Sequence, residues 1–181
     1  VFLPALDWSN VTNARNALAE CSNLIFIPPL DFSNVEVIEG AFVNTNIMEL
    51  AIRNTGKVTT WGYSCFGGSH ARKITKIDYL DWASASSVYS GIFNACSSLR
   101  FLKVVNLGKS AVKTFQFQPL LEWGKGGEEN RQSLIDSLIT YSYDRASAGM
   151  ATATIQLHAN TKALLTEEEI AQITAKGFTI S

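Results

Sequence analysis

An internal repeat is the sequence feature that most constrains the fold of this chain. The phrase Leu6-Asp7-Trp8-Ser9-Asn10-Val11 returns as Leu30-Asp31-Phe32-Ser33-Asn34-Val35, 24 residues later at every position. A large apolar residue recurs in phase with this phrase at Leu18, Phe42, Phe66 and Phe93. Because a unit this short cannot bury its apolar face alone, the repeat predicts four units that stack on one another.

Each large apolar residue is followed by a second apolar pair whose members lie three residues apart. These pairs are Leu24 and Ile27, Ile47 and Leu50, Ile74 and Ile77, and Leu99 and Leu102. The period of about 24 residues lies within the range of leucine-rich repeats and is too short for helical-pair repeats. We therefore predict an α/β repeat fold, an irregular leucine-rich-repeat solenoid with mainly parallel short strands. The third unit is longer, and its extra polar residues within 67–73 indicate an inserted loop.

The final third of the chain does not repeat. The period fades after Lys109, and different patterns follow within residues 119–181. Apolar residues one helical turn apart predict a helix over 133–139. Alternating apolar residues predict a strand over 152–158, and residues 178–180 are typical of a last strand.

A second helix is predicted just before this last strand. Thr166 and Glu169 have the spacing of a capping box, and Gly177 is a typical helix stop. The end of an open repeat stack is an exposed apolar face that needs a cap. We therefore predict repeats over residues 1–118 and an α/β capping segment over 119–181.

Several phrases of the repeat resemble the BspA-like leucine-rich repeats of bacterial surface proteins. That family typically carries A-F-x-x-C-x-x-L-x-x-I alternating with L-D-x-S-N-V. Residues 17–24, 27–35 and 91–102 are similar to these phrases, and the resemblance covers roughly residues 3 to 107. Thr45 departs from it at the cysteine position, and residues 53–56 replace one L-D-x-S phrase.

The helix before Gly177 also resembles the closing segment of Bacteroides-type repeat proteins. Together the resemblances imply a bacterial or bacteriophage origin and an extracellular or cell-surface location, with any signal or anchor outside the visible chain. They imply an adhesin-like protein that binds a protein or glycan ligand. A structural spacer or module of a phage or cell-surface assembly is the alternative, and an enzyme is a third possibility.

Composition argues against two partner classes. Fifteen basic and sixteen acidic side chains give a net charge of −1, and the basic residues are scattered. A nucleic-acid partner is therefore not expected. The chain lacks an apolar stretch near the roughly 18 residues that cross a bilayer, so we expect no membrane insertion of this segment.

The chemistry-bearing residues do not form a catalytic or metal-binding pattern. Cys21 and Cys96 occupy equivalent repeat positions three units apart, too far for a disulfide, so we predict three reduced and shielded thiols including Cys65. His70 and His158 lie outside any recognisable catalytic phrase or zinc-ligand spacing. The glycine-rich stretches lack phosphate-loop spacing. We expect no enzyme activity, no metal and no cofactor.

An aspartate column admits two interpretations. Asp7, Asp31 and Asp81 recur in the repeat phrase, and such a column could bind calcium as a carboxylate ladder. Alternatively, each aspartate side chain accepts a hydrogen bond from a backbone N–H of the turn that follows it, a group that the turn would otherwise leave unpaired. One carboxylate per unit favours turn capping.

An aromatic column is the candidate binding site. Trp8, Phe32 and Trp82 share one repeat position, where the related repeats commonly hold threonine. An outward-facing position would give a stripe of three aromatics suited to sugar rings or to an apolar patch of a partner. The alternative is that Leu-x-Trp alternation sends both apolar residues into the core.

Overall fold

A computed structural model describes residues 3–68 and 73–181. His70 and most of the predicted inserted loop lie outside these residues. The strands are β1 (Leu30–Asp31), β2 (Val37–Ile38), β3 (Glu49–Leu50), β4 (Ile52–Arg53), β5 (Thr60–Trp61), β6 (Lys76–Asp81), β7 (Ser87–Val88), β8 (Phe101–Val105), β9 (Thr114–Phe117), β10 (Ala153–Leu157) and β11 (Phe178–Ile180). The helices are α1 (Glu128–Ile135), α2 (Ala159–Lys162) and α3 (Glu167–Ala175), with a 3₁₀ turn at Thr55–Lys57 and a π turn at Asp136–Thr140.

The strands form four small sheets. Their orders are β1-β4, β2-β5-β7, β3-β6-β8 and β9-β10-β11, and every pairing between named strands is parallel. In the repeat region, paired residues lie about one repeat apart, as for Lys76 and Phe101 in β6 and β8. Successive units therefore lie side by side.

The prediction of one irregular leucine-rich-repeat solenoid is wrong. The described chain has several small, separate parallel sheets and few helices. Many of the paired segments are only two residues long, and the chain then turns through left-handed residues such as Asn44 and Asn54, at φ 56° and 58°. The ladders between named strands are short, and the strands form four separate sheets.

The repeated apolar positions still converge in one core. The Phe42 and Phe66 rings stack at 6.0 Å, Phe66 and Phe93 at 5.7 Å, and Phe93 and Phe117 at 5.8 Å. Leu18, the first member of the column, is only partly buried and packs against this core. The sequence period therefore identified which side chains point inward.

The secondary structure expected near the C-terminus is confirmed. The expected helix appears as α1 followed by the π turn, and the expected strands appear as β10 and β11. Thr166 and Glu169 form both bonds of the capping box at the start of α3, and Gly177 follows the helix at φ 86°. The boundary at 118/119 stays a prediction, and β9 before it pairs with β10 after it.

The outer edge of β8 is covered by side chains rather than by another strand. The Val104 N–H donates to the Ser137 hydroxyl at 2.9 Å, and that hydroxyl lies 3.1 Å from the Leu102 carbonyl oxygen. The Trp123 indole N–H donates to the same carbonyl at 3.1 Å. These contacts provide hydrogen-bond partners for the backbone groups of Leu102 and Val104 at the strand edge. They also hold the π turn against the sheet.

Within the described residues, no helix has the length and apolar character needed to cross a bilayer.

Candidate binding face

The predicted aromatic stripe is buried. Trp8 is 7% exposed, Phe32 0% and Trp82 1%. Trp8 and Phe32 stack on each other at 4.9 Å, and Trp82 stacks on Phe115 at 5.7 Å. The expectation that these three residues face outward as a binding site is therefore wrong, and the alternative of core packing is the observed arrangement.

Alternation along the backbone explains this burial. Leu30 and Phe32 are both buried, while Asp31 between them is exposed. Residues two apart in extended backbone point to the same side, so the aromatic residue follows the leucine into the core.

The aspartate column caps turns, as the favoured interpretation predicted. Asp7, Asp31 and Asp81 each accept the backbone N–H two residues later, at 2.9, 3.0 and 2.9 Å. A hydrogen bond from the Asn54 side chain, aided by the Ser33 N–H, lowers the pKa of Asp31. In the part of the chain that the structure describes, no group of three or more His, Cys, Asp or Glu side chains could hold a metal ion.

The three cysteines are free thiols, but only two are shielded. Cys65 and Cys96 are buried, and Cys21 is exposed, so the prediction of three shielded thiols is wrong for Cys21. The Cys65 thiol donates to the Ile38 and Gly62 carbonyls at 3.0 Å. Burial raises the pKa of Cys65, and it raises that of Cys96 to about 12. Neither buried thiol is therefore a ready nucleophile.

His158 has a local structural contact. Its Nδ1 accepts the Asn160 N–H at 3.1 Å at the start of α2. This interaction satisfies a backbone donor at the helix end.

The outward side of β6 and its neighbours carries a group of side chains that the repeat analysis did not identify. We call this group the Tyr79 face. It consists of Arg53, Asn54, Asp78, Tyr79, Lys103, Asn106 and Tyr141.

Two shallow depressions meet at Tyr79. The first has a volume of about 340 Å³ and is lined by residues that include Arg53, Asn54, Asp78 and Tyr79. The second has a volume of about 420 Å³ and is lined by Tyr79, Lys103, Val105, Asn106 and Tyr141. Tyr79 is therefore the residue that lines both depressions.

An irregularity in β6 accounts for the position of Tyr79. The register with β8 shifts between Ile77 and Leu80, which are both buried. The two residues between them, Asp78 and Tyr79, are exposed and half-buried. A bulge of this kind presents two consecutive side chains where regular alternation would present one. Burial, together with the charge of Asp81, raises the pKa of Tyr79, so its hydroxyl stays protonated at neutral pH.

The π turn positions the second ring. The Asn106 N–H donates to the Tyr141 carbonyl at 2.9 Å, which places Tyr141 beside β8. The Lys103 ammonium lies 4.3 Å from the centre of the Tyr141 ring and 3.5 Å from the Asp136 carboxylate. The cation–π contact and the ion pair together hold the ring and the ammonium at the edge of the depression.

Two asparagines with left-handed backbone lie at the ends of the face. Asn54 has φ 58° and donates to the Asp31 carboxylate at 3.0 Å. Asn106 has φ 56° and donates to the Asp81 carboxylate at 2.8 Å. Asparagine tolerates this backbone better than most residues, and the aspartate fixes its amide group.

A third depression is lined by residues that include Lys76, Phe101 and Glu129. Lys76 lies 3.5 Å from both Asp78 and Glu129, and its ammonium is 4.6 Å from the Phe101 ring centre. Although burial opposes the charged form, Asp78 and Glu129 raise the pKa of Lys76. This lysine therefore stays protonated and paired at neutral pH.

The spacing of the repeat gives no signal for this face. Asp78 and Tyr79 lie between Ile77 and Leu80, and Pro28 and Pro29 occupy the equivalent positions in the first unit.

Comparisons with known proteins do not place the chain in a family. No family model matches it, no curated protein matches it, and no solved structure matches it.

Proposed function

We propose that this chain is a non-enzymatic binding module of a secreted or cell-surface protein, and that it binds a protein or glycan ligand through the Tyr79 face. The observation that carries the proposal is the pair of depressions that share Tyr79. Concave sites with an aromatic side chain and a few polar groups are the usual form of ligand sites.

The rigidity of the supporting sheet favours binding. β6 pairs with β3 at Lys76 and Ile77 and with β8 on both sides of the bulge, so the backbone that carries Tyr79 is held at both ends. A preformed site loses little conformational entropy when a ligand binds. The extracellular setting rests on the resemblance of the repeat phrases to bacterial surface proteins.

A matched pair of double variants tests this proposal. The first variant, Tyr79→Ala/Tyr141→Ala, removes both rings of the face. The control, Tyr63→Ala/Tyr89→Ala, removes two tyrosines that are 56% and 55% exposed and lie beside the sheet β2-β5-β7. Both proteins and the wild type are applied to an immobilised glycan panel and to a panel of purified extracellular proteins. Thermal unfolding is measured first, so that only folded variants are compared.

The expected result is a ligand in at least one panel that binds the wild type and the Tyr63/Tyr89 variant but not the Tyr79/Tyr141 variant. Binding that both double variants retain would place the site elsewhere. The absence of any ligand in either panel would contradict the binding function and favour a structural spacer.

A further inference from the structure

We infer that the ligand of the Tyr79 face is an uncharged oligosaccharide that spans at least two sugar units. The inference rests on the proposed binding function and names the ligand class of that same site.

The aromatic rings provide the first argument. Tyr79 lines both depressions, and Tyr141, which is 42% exposed, lines the second. The face of an aromatic ring is apolar and electron-rich, so it attracts the slightly positive C–H groups on one side of a sugar ring. A residue that lines two depressions can contact two linked sugar units at once.

The polar groups provide the second argument. Arg53, Asn54 and Asp78 line the first depression, and Asn106 lines the second. The planar Arg53 guanidinium can donate two parallel hydrogen bonds. The Asn54 and Asn106 amides each give one N–H to an aspartate and have a second N–H and a carbonyl oxygen for further bonds. Adjacent hydroxyl groups on a sugar ring offer donors and acceptors at a matching separation.

The dimensions agree with a chain of sugars rather than a single one. The depressions have volumes of about 340 and 420 Å³. Each reaches the lower part of the roughly 300–1,000 Å³ range of small-ligand sites. Both are shallow and share Tyr79 as a lining residue, so a ligand must extend across Tyr79 to contact both.

The charges argue against an ionic ligand. The first depression holds one cation and one anion, Arg53 and Asp78. In the second depression, Lys103 is paired with Asp136 at 3.5 Å. Alternating and paired charges create little net field, whereas sites for polyanions cluster charges of one sign. An uncharged ligand fits this balance.

The strand pairing argues against an extended peptide. A peptide that adds to a sheet needs a strand with a free edge. β6 is bonded to β3 at Lys76–Ile77 and to β8, and the edge of β8 is covered by Ser137 and Trp123. β4, which lines the first depression, is only two residues long and offers too short an edge for an added strand. The face therefore offers side chains to its ligand and little backbone.

The test uses neutral hexasaccharides as probes: cellohexaose, maltohexaose, xylohexaose and mannohexaose. Hexagalacturonate and a heparin hexasaccharide serve as charged comparators. Binding is detected by saturation-transfer NMR and measured by calorimetry at about 50 mM and about 500 mM NaCl. We expect at least one neutral hexasaccharide to bind, and to bind at least about tenfold more tightly than its monosaccharide because two subsites act together.

Three variants assign the contact. Tyr79→Ala is expected to weaken binding about tenfold, since one ring contacts two sugars, and Tyr79→Phe is expected to keep most of the affinity because the ring remains. Tyr89→Ala, on a different sheet, is the control and is expected to bind as the wild type does. Salt is expected to change the affinity of the neutral probe less than about twofold, because no charge is neutralised on binding.

The outcomes separate this inference from the proposed function. Binding to an extracellular protein through the Tyr79 face, with no neutral hexasaccharide bound, would overturn the inference and leave the proposed function standing. Binding of the charged comparators alone, or neutral binding that Tyr79→Ala leaves unchanged, would also overturn it. Failure of every glycan and every protein to bind would overturn both.

Discussion

Arg145 provides the sharpest test of how the C-terminal segment is held to the repeats. This side chain is among the largest fully buried ones, at 1% exposure. Its Nη1 donates to the carbonyls of Gly108 and Ser110 at 2.6 and 2.9 Å, and its Nε and Nη2 donate to the Ala151 carbonyl at 2.9 and 2.6 Å. The guanidinium thus joins the turn after β8 to the segment before β10.

The expected effect of Arg145→Met follows from these contacts. The change leaves three carbonyls without their donors, and each buried unpaired group costs about 1–3 kcal/mol. Part of this cost is offset because the native protein no longer buries a charge, a penalty seen in the lowered pKa of Arg145. The three unpaired carbonyls, less this offset, give an expected loss of about 3–5 kcal/mol in the free energy of unfolding.

Arg145→Lys tests the geometry of the guanidinium group separately from its charge. A lysine keeps the charge but donates from one point, so it cannot reach the Ala151 carbonyl on one side and the Gly108 carbonyl on the other. We expect this variant to lose about 1.5–3 kcal/mol, the value of charged hydrogen bonds that are not remade. Urea unfolding of both variants measures the difference. A loss below about 1 kcal/mol for Arg145→Met would refute the argument that this side chain holds the two parts together.

Three further predictions concern the core, the thiols and the last helix. Phe66→Ala is expected to lower the free energy of unfolding in urea by about 3–5 kcal/mol, because it leaves a cavity between the stacked rings of Phe42 and Phe93. A loss below about 1 kcal/mol would contradict this burial. Thiol titration without reductant is expected to find one accessible group, Cys21, in the native protein and all three cysteines after denaturation. Although burial alone would raise the pKa of Glu169, the Thr166 N–H and Arg131 together lower it. The charge of Glu169 therefore stabilises the fold above its ordinary pKa of about 4.3, and the stabilisation is lost as the pH falls through the lower folded value. Glu169→Gln is expected to lower the free energy of unfolding by about 1 kcal/mol at pH 7 and by progressively less in acid. Urea unfolding across this pH range measures the loss, and a loss that does not change with pH would contradict this role.

The inward-facing residues could be predicted from the sequence because they repeat. The equivalent rings of Phe42, Phe66 and Phe93 pack on one another, so the three positions share the same buried environment. The aspartate turns were predictable for a similar reason, since Asp31 bonds a backbone N–H only two residues away. Short-range geometry of this kind is contained in the local sequence.

The sheet architecture was not predictable from the period. A spacing of 24 residues fixes the length of a unit but not the number of residues that pair with the next unit. Most pairings join only two residues of each strand, and the strands form four separate sheets. The buried contacts of Arg145 were not predictable from the sequence either. Gly108 lies 37 residues away, and the Ala151 acceptor is a backbone carbonyl that no side chain marks.

The Tyr79 face illustrates why a binding site on such a chain escapes a search for repeated residues. Inward positions are restricted by the neighbours above and below, whereas outward positions are free to differ from unit to unit. Trp8, Phe32 and Trp82 recur, and they are buried. Tyr79 and Tyr141 do not recur, and they border the surface depressions. A recurring aromatic residue in a repetitive chain therefore indicates packing in the core. Candidate ligand contacts are better sought among large side chains that do not recur and that lie beside a bulge or a turn.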